Sequence, residues 1–349
     1  MEHNVTSILH RLYDSPVSEL ALERLPGDAS DRAYYRAKFM IDQKCQTVIV
    51  MALKRGSNPF KSEEIELYHD DLAELPFINI QKFLGKLEIA VPQILWPDDS
   101  EGFLLLEDLG DTLLLHLAER ADEEERWRLY CKAIDELMKM QVYAKPDKKC
   151  MAFTKMFNAP MFNWELDHFT EYGIEKRLQV TIFDQDRETI FNHTRKISSK
   201  LDSLPKIFCH RDYHSRNLMV FNDKIYMIDF QDALTGPAVY DLASLLRDSY
   251  IDLGGAMVEE LARYYSFEMS KVKGEEINPD EVIYLTRLQA IQRNLKAAGR
   301  FGYIDIVKGN PKFLADIPRT LSYVKANLIA MPEHHELLHV YQKYVKELR

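Results

Sequence analysis

A chain of 349 residues, 46% hydrophobic and 29% charged, holds enough apolar material for one large domain or two ordinary ones. Its net charge of −10 argues against broad nucleic-acid or anionic-membrane binding, so an anionic ligand needs a local basic pocket. The cysteines Cys45, Cys131, Cys150 and Cys209 form no CxxC pair and suit reduced thiols; with no membrane-length apolar run and no leader-like start, the expected location is the cytoplasm.

Residues 17–110 carry strand-like runs. "LALERL" (20–25) is followed by the turn-rich "PGDASDR" (26–32) and by "AYYRAKFM" (33–40). "TVIVMAL" (47–53) has the β-branched, apolar composition of a central strand. "SEEIELYHDDLAEL" (62–75) reads as a helix with Ser62 as its N-cap. "GFLLLEDLG" (102–110) is another apolar run, ending abruptly in Glu107, Asp108 and Gly110. Beyond it the chain turns helical. In 122–141, Trp127, Tyr130, Ile134, Leu137 and Met138 share one helical face, and acidic residues crowd the first turn. From about residue 238 the pattern is helical to the end. The layout predicts an α+β protein with a smaller β-rich lobe (1–108) and a larger, mostly helical lobe (109–349).

The densest chemistry lies in "CHRDYHSRNLMVFNDKIYMIDFQD" (209–232). "LMVF" and "IYMI" flank Asn222, Asp223 and Lys224, a hairpin pattern with a three-residue loop. Folded about Asp223, it pairs Phe221 with Ile225 and sets Asn217 opposite Asp229; a two-residue loop would slip that register by one. An amide oxygen and a carboxylate there are hard ligands suited to Mg²⁺ shared with phosphates. Asp212, on the preceding loop, is the candidate acceptor of a substrate hydroxyl proton, the division of labour in kinase-type phosphoryl transfer. Taken singly, each of these residues has an ordinary reading as a cap or turn; the joint spacing favours catalysis.

On these residues the chain resembles the aminoglycoside phosphotransferase and choline kinase superfamily, which shares the protein-kinase fold. "DFQD" stands where protein kinases have Asp-Phe-Gly, and "ALTGPAVYDLASLLRDSY" (233–250) follows without a long activation loop. "LPGDASDRAYYR", "GFLLLEDLGD", "CHRDYHSRNLMV", "IDFQDALTGPAVYDLASLLRDSY", "QRNLKAAGRF" and "FLADIPRTLSYV" occur in the order seen in bacterial anomeric amino-sugar kinases, from about residue 22 to 326. Those enzymes phosphorylate the 1-hydroxyl of N-acetylmuramate and N-acetylglucosamine in peptidoglycan recycling. The resemblance implies a bilobal protein-kinase-like fold, Mg²⁺ and ATP (with GTP left open), and a small sugar acceptor, with no nucleic-acid or membrane partner; the oligomeric state is not implied.

There is no P-loop motif. The resemblance implies that Gly27 and Ser30 cover phosphate oxygens, although "GDASDR" also reads as an ordinary hairpin turn. Lys54 ends its strand where a kinase phosphate-binding Lys is expected, with Glu64 or Glu66 as partner; a solvated strand exit is the alternative. Glu107 to Leu109 matches the hinge whose backbone pairs with the nucleobase. On the acceptor side, His214, Arg216 and Asp232 are expected to face the substrate, with Arg247 a candidate for its anionic group. Asp241 is expected to brace the catalytic loop through its backbone. In 284–301, Leu285, Leu288, Ile291 and Leu295 form an apolar stripe, and Arg293, Lys296 and Arg300 form a basic face. That face could hold a carboxylate, or it could be a solvated helix surface.

"HELLH" (335–339) matches the zinc-protease motif HExxH, but only ten residues follow. Leu337, Leu338, Tyr341, Tyr344 and Val345 make it an ordinary amphipathic helix instead. Two other functions stay open: a kinase for another small molecule (aminoglycoside, choline or homoserine), and a non-catalytic nucleotide-binding regulatory protein of kinase fold. A choline-type cage would want aromatic or acidic residues, and the basic face weighs against it.

Overall fold

The computed structural model describes residues 1–25, 32–53, 74–97 and 102–349. Gly27, Ser30, Lys54, Glu64 and Glu66 lie outside the described residues, as does all but the end of the helix expected over 62–75. The order is α1 (Glu2–Tyr13), β1 (Ser18–Arg24), β2 (Arg32–Ile41), β3 (Lys44–Leu53), α2 (Pro76–Lys86), β4 (Ile94–Trp96), β5 (Phe103–Leu106), α3 (Leu114–Arg120), α4 (Glu123–Tyr143), α5 (Ala159–His168), a π-helical stretch (Phe169–Glu175), α6 (Lys176–Leu178), α7 (Asp184–Asp202), β6 (Lys206–Cys209), β7 (Leu218–Phe221), β8 (Lys224–Met227), β9 (Leu234–Pro237), α8 (Val239–Leu246), α9 (Gly255–Lys273), α10 (Pro279–Lys308), α11 (Ile317–Ile329) and α12 (His335–Tyr344). None of the described helices is long and apolar enough to cross a membrane. The chain divides into two compact units, Met1–Thr112 with Met219–Asp232, and Leu113–Leu218 with Ala233–Arg349. The division expected after residue 108 thus falls after Thr112, and a segment of the expected second lobe groups with the first.

The first unit is built on an antiparallel five-stranded sheet of order β1-β2-β3-β5-β4. Asp42 and Gln43, with φ of 47° and 61°, make the two-residue turn between β2 and β3, the geometry whose twist matches paired strands. One face of the sheet buries Ala37, Phe39, Val48, Val50, Phe103 and Leu105 against Val5, Ile8 and Leu9 of α1. The segment Met219–Asp232 is tied to this unit by local bonds. Val220 N donates to Thr112 O at 2.8 Å, Met227 N donates to Ala90 O at 2.8 Å, and the rings of Phe77 and Phe230 stack at 4.9 Å.

The hairpin inside that segment departs from expectation. Asn222 and Asp223 both have positive φ, 49° and 62°, and β8 begins at Lys224. The turn therefore has two residues, not three, and sets Phe221 against Lys224 rather than Ile225. Side-chain register slips by one, and both strands stop short of Asn217 and Asp229, so the ladder does not oppose that pair.

The second unit is mostly helical. Its core gathers Phe157, Phe162, Leu166 and Phe169 with Leu288, Ile291 and Leu295 of α10 and Leu337 and Tyr341 of α12. α4 starts on an Asp122 cap whose side chain accepts from Glu125 N at 2.8 Å, and it buries Tyr130, Ile134, Leu137 and Met138. α10 lies hard against the π-helical stretch. A Cβ on Gly299 would meet Phe169 Cα at 2.7 Å, so only glycine permits this approach. β6 pairs antiparallel with β9, Cys209 opposite Leu234, and delivers the chain into the loop at His210. The "HELLH" segment packs Leu337 and Leu338 inward, and no group of three or more metal-ligating side chains occurs among the described residues.

Candidate active site

The loop 210–217 leaves the buried end of β6 and is braced by carboxylates from the α8 region. Arg211 has a φ of 80°, a left-handed conformation that residues other than glycine rarely adopt without support. Asp241 supplies it: its two oxygens accept His210 N at 2.7 Å and Arg211 N at 2.9 Å. Burial pushes the Asp241 carboxyl up to about 7, against those two donors. The bracing role expected of Asp241 is the one observed. Asp248, which the sequence reading did not single out, does the same further along. It accepts from Ser215 N at 2.9 Å and Ser215 Oγ at 2.5 Å, and from Tyr250 N at 2.9 Å. Tyr213 is fully buried and its hydroxyl donates to Ala133 O at 2.6 Å.

Asp212 projects from this braced loop. Burial disfavours its charge, but Lys296, Arg211, His214 and Arg293 outweigh it and hold the carboxyl well below the usual carboxylate range. Asp212 is therefore ionised and acceptor-only at neutral pH. Asn217 donates its Nδ2 to Asp212 O at 3.0 Å, which turns the amide oxygen to the other side. The His214 ring meets the Tyr250 ring edge-on at 5.2 Å, and the Arg216 guanidinium lies 3.6 Å over the same ring. Of the basic face of α10, Arg293 and Lys296 reach Asp212 electrostatically, whereas Arg300 lies 4.9 Å over the Tyr303 ring.

Arg247 is the residue expected to meet the substrate's anionic group. It ends α8, its backbone oxygen accepts from Asn294 Nδ2 at 2.9 Å, and its guanidinium lies 5.3 Å over the Tyr323 ring. Burial lowers its pKa, and its charged neighbours are Asp252, Arg287 and Glu259. Arg293 Nη1 also donates to the Arg247 backbone oxygen at 3.5 Å.

Glu165 is a buried acidic residue that the sequence reading did not single out. It is 0% exposed on α5, where Gln292 Nε2 donates to its Oε2 at 2.6 Å. Its Oε1 lies 3.9 Å from Lys296 Nζ and 4.0 Å from Arg211 Nη2. The signal was in the pattern: an acidic residue stands on the apolar stripe of Phe162, Leu166 and Phe169, where a charge requires partners.

The first unit holds Asp229, Asp232, Glu107 and Leu109. Asp229 has a φ of 63°. Its Oδ1 accepts Gln231 Nε2 at 2.9 Å, and the same amide donates to Asp232 Oδ2 at 3.2 Å, which keeps the two carboxylates together. Arg32 Nη2 lies 3.7 Å from Asp229. Burial pulls the Arg32 pKa down, but Tyr34, Asp229 and Asp232 raise it overall. Glu107 N donates to Gln93 O at 2.9 Å, and its side chain accepts Gln93 N at 3.1 Å. Leu109 is buried. The chain beyond Leu109 is gripped by Arg36 of β2, which bonds Asp108, Gly110 O and Asp111.

Comparison with known proteins adds relatives to this geometry. The phosphotransferase enzyme family matches residues 21–274. The N-acetylmuramate/N-acetylglucosamine kinase of Pseudomonas putida is 30% identical over 266 residues, which cover 75% of this chain and 75% of the relative. That of Neisseria meningitidis serogroup B is 28% identical over 313 residues, covering 89% and 86%. Among solved structures, choline kinase from Cryptosporidium parvum Iowa II is similar with a TM-score of 0.63 at 11% identity, covering 97% of this chain and 98% of that one. The ADP-bound aminoglycoside phosphotransferase APH(2'')-Ib gives 0.59 at 16% identity, covering 93% and 98%. At such identities the likeness is one of fold, and it is the kinase-like fold expected from the motifs. The chain belongs to the phosphotransferase enzyme family and is a small-molecule kinase.

Proposed function

We propose that the protein transfers the terminal phosphoryl group of ATP to the anomeric hydroxyl of an amino sugar, N-acetylmuramate or N-acetylglucosamine, in cell-wall recycling in the cytoplasm. The observation that carries this reading is the setting of Asp212: an ionised carboxylate on a doubly braced loop, with Arg293 and Lys296 as neighbours. The names of the relatives supply the sugar class.

Asp212 orients the acceptor hydroxyl and takes up its proton as the bond to phosphorus forms. The rigid loop keeps that carboxylate in place, so positioning supplies much of the rate. Mg²⁺, when bound, neutralises phosphate charge and aligns the transferring group. Asn217 and Asp229 are proposed as its hard oxygen donors. Asn217 presents an amide oxygen, and Asp229 is 47% exposed and steadied by Gln231. One or two carboxylates with phosphate oxygens are enough for this ion, so no all-protein cage is needed. Gly27, Ser30 and Lys54 are proposed for the phosphates and the Glu107–Leu109 backbone for the base. His214, Arg216 and Asp232 are proposed to line the acceptor side. Lys296 and Arg293 suit the lactyl carboxylate of N-acetylmuramate through charge-assisted hydrogen bonds.

An acceptor panel tests the proposal. ATP with Mg²⁺ should give a 1-phosphate from both amino sugars, and a 1-deoxy analogue of N-acetylglucosamine should be inert. Lys296→Met should raise KM for N-acetylmuramate by about 10-fold, the value of one charge-assisted bond, and should leave KM for N-acetylglucosamine close to wild type. Turnover of the 1-deoxy sugar at the rate of its parent would overturn the assignment of the reacting hydroxyl.

A further inference from the structure

Glu165 is a fully buried carboxylate that the phosphoryl-transfer roles leave unused. A buried carboxylate is tolerated only where cations and hydrogen bonds compensate its desolvation. Here the compensation comes from Gln292 at 2.6 Å and from Lys296 and Arg211 at 3.9 and 4.0 Å. Those two cations also act most strongly of the nearby charges on Asp212. Lys296 and Arg211 thus stand between two carboxylates, one on α5 and one on the catalytic loop. The Lys296 ammonium ends a flexible stem, so its position responds to the anions that draw it.

We infer that Glu165 is a positioning residue: it draws Lys296 and Arg211 toward α5 and so keeps the Asp212 carboxylate open to the acceptor hydroxyl. The charges explain why. Lys296 and Arg211 act on both carboxylates, and removal of the Glu165 charge shifts their balance toward Asp212. In a desolvated setting that pull is several-fold stronger than in water. A cation closed onto Asp212 occupies the oxygens that must receive the hydroxyl proton. The inference rests on the role proposed above for Asp212.

The test is a double-mutant cycle in the full-length protein, with N-acetylglucosamine as acceptor so that no substrate carboxylate intervenes. Glu165→Gln keeps an oxygen for Gln292 and removes only the charge. It should lower kcat by at least about 10-fold while KM for ATP stays within about 2-fold, a split that a merely structural defect does not produce. In the Lys296→Met background most of that loss should disappear. Glu165→Asp, which keeps the charge, should retain most of the wild-type kcat. An equal loss from Glu165→Gln in both backgrounds, a wild-type kcat for Glu165→Gln, or an equal loss for Glu165→Asp and Glu165→Gln would overturn the inference. Should Asp212→Ala turn over normally, it is the proposed role of Asp212 that fails, whatever the cycle gives.

Discussion

Asp212 and Asp241 serve one loop, and their surroundings push them in opposite directions. Lys296, Arg211, His214 and Arg293 outweigh the burial of Asp212 and keep it ionised. For Asp241 burial outweighs two N–H donors and lifts its carboxyl from 3.8 to about 7. A carboxyl whose pKa is higher in the folded state holds a proton there that the unfolded chain has released. Its contribution is therefore most favourable below the unfolded value and is lost as pH rises through about 7. Urea unfolding at pH 5 and pH 7.5 should show wild-type stability falling by more over that interval than the stability of Asp241→Asn. Equal falls would mean that another group titrates. At this scale the brace Asp241 was legible from local spacing. Glu165 and Asp248 act on the loop from positions dozens of residues away, and only packing brings them there.

Among the elements, β2 carries the most consequential side chain outside the loop. Arg36 makes five hydrogen bonds to the 108–111 segment. Hydrogen bonds donated to Asp111 and Asp108 raise its pKa, so it is a permanent cation. The Asp108 side chain is only 7% exposed. Arg36→Ala leaves that carboxylate buried without its main partner, a loss on the order of 3–5 kcal/mol. Arg36→Lys should recover only part of it, because an ammonium cannot reproduce the planar fork. Chemical denaturation measures both, and an Arg36→Ala loss under about 1 kcal/mol would contradict the assigned role. The elements themselves were read unevenly. β1, β2, β3 and β5 followed from their apolar runs, and α4 and α10 from helical periodicity. The hairpin was found but its turn was misjudged, since "FNDKI" accommodates two or three loop residues and backbone twist decides between them. α1 went unread although Val5, Ile8, Leu9 and Leu12 have helical spacing. β4, β6 and β9 are three or four residues long, too short for any period to show.

For the whole molecule, the kinase-like fold was legible because its motifs occur in order along almost the entire chain, and the likeness to solved structures covers over nine-tenths of it. The division into units was legible only approximately. The segment Met219–Asp232 joins the first unit through Val220, Met227 and Phe230, bonds that no local pattern announces. The proposed division of labour sets Asp212 on the acceptor and Asp229 on the metal-bound nucleotide. It is tested by measuring turnover and Mg–ATP binding side by side in two variants. Asp212→Ala should lose about 10²–10⁴-fold in kcat with nucleotide affinity near wild type, and Asp229→Ala should bind Mg–ATP at least about 10-fold more weakly. An Asp212→Ala variant that phosphorylates the amino sugar at the wild-type rate would contradict the account.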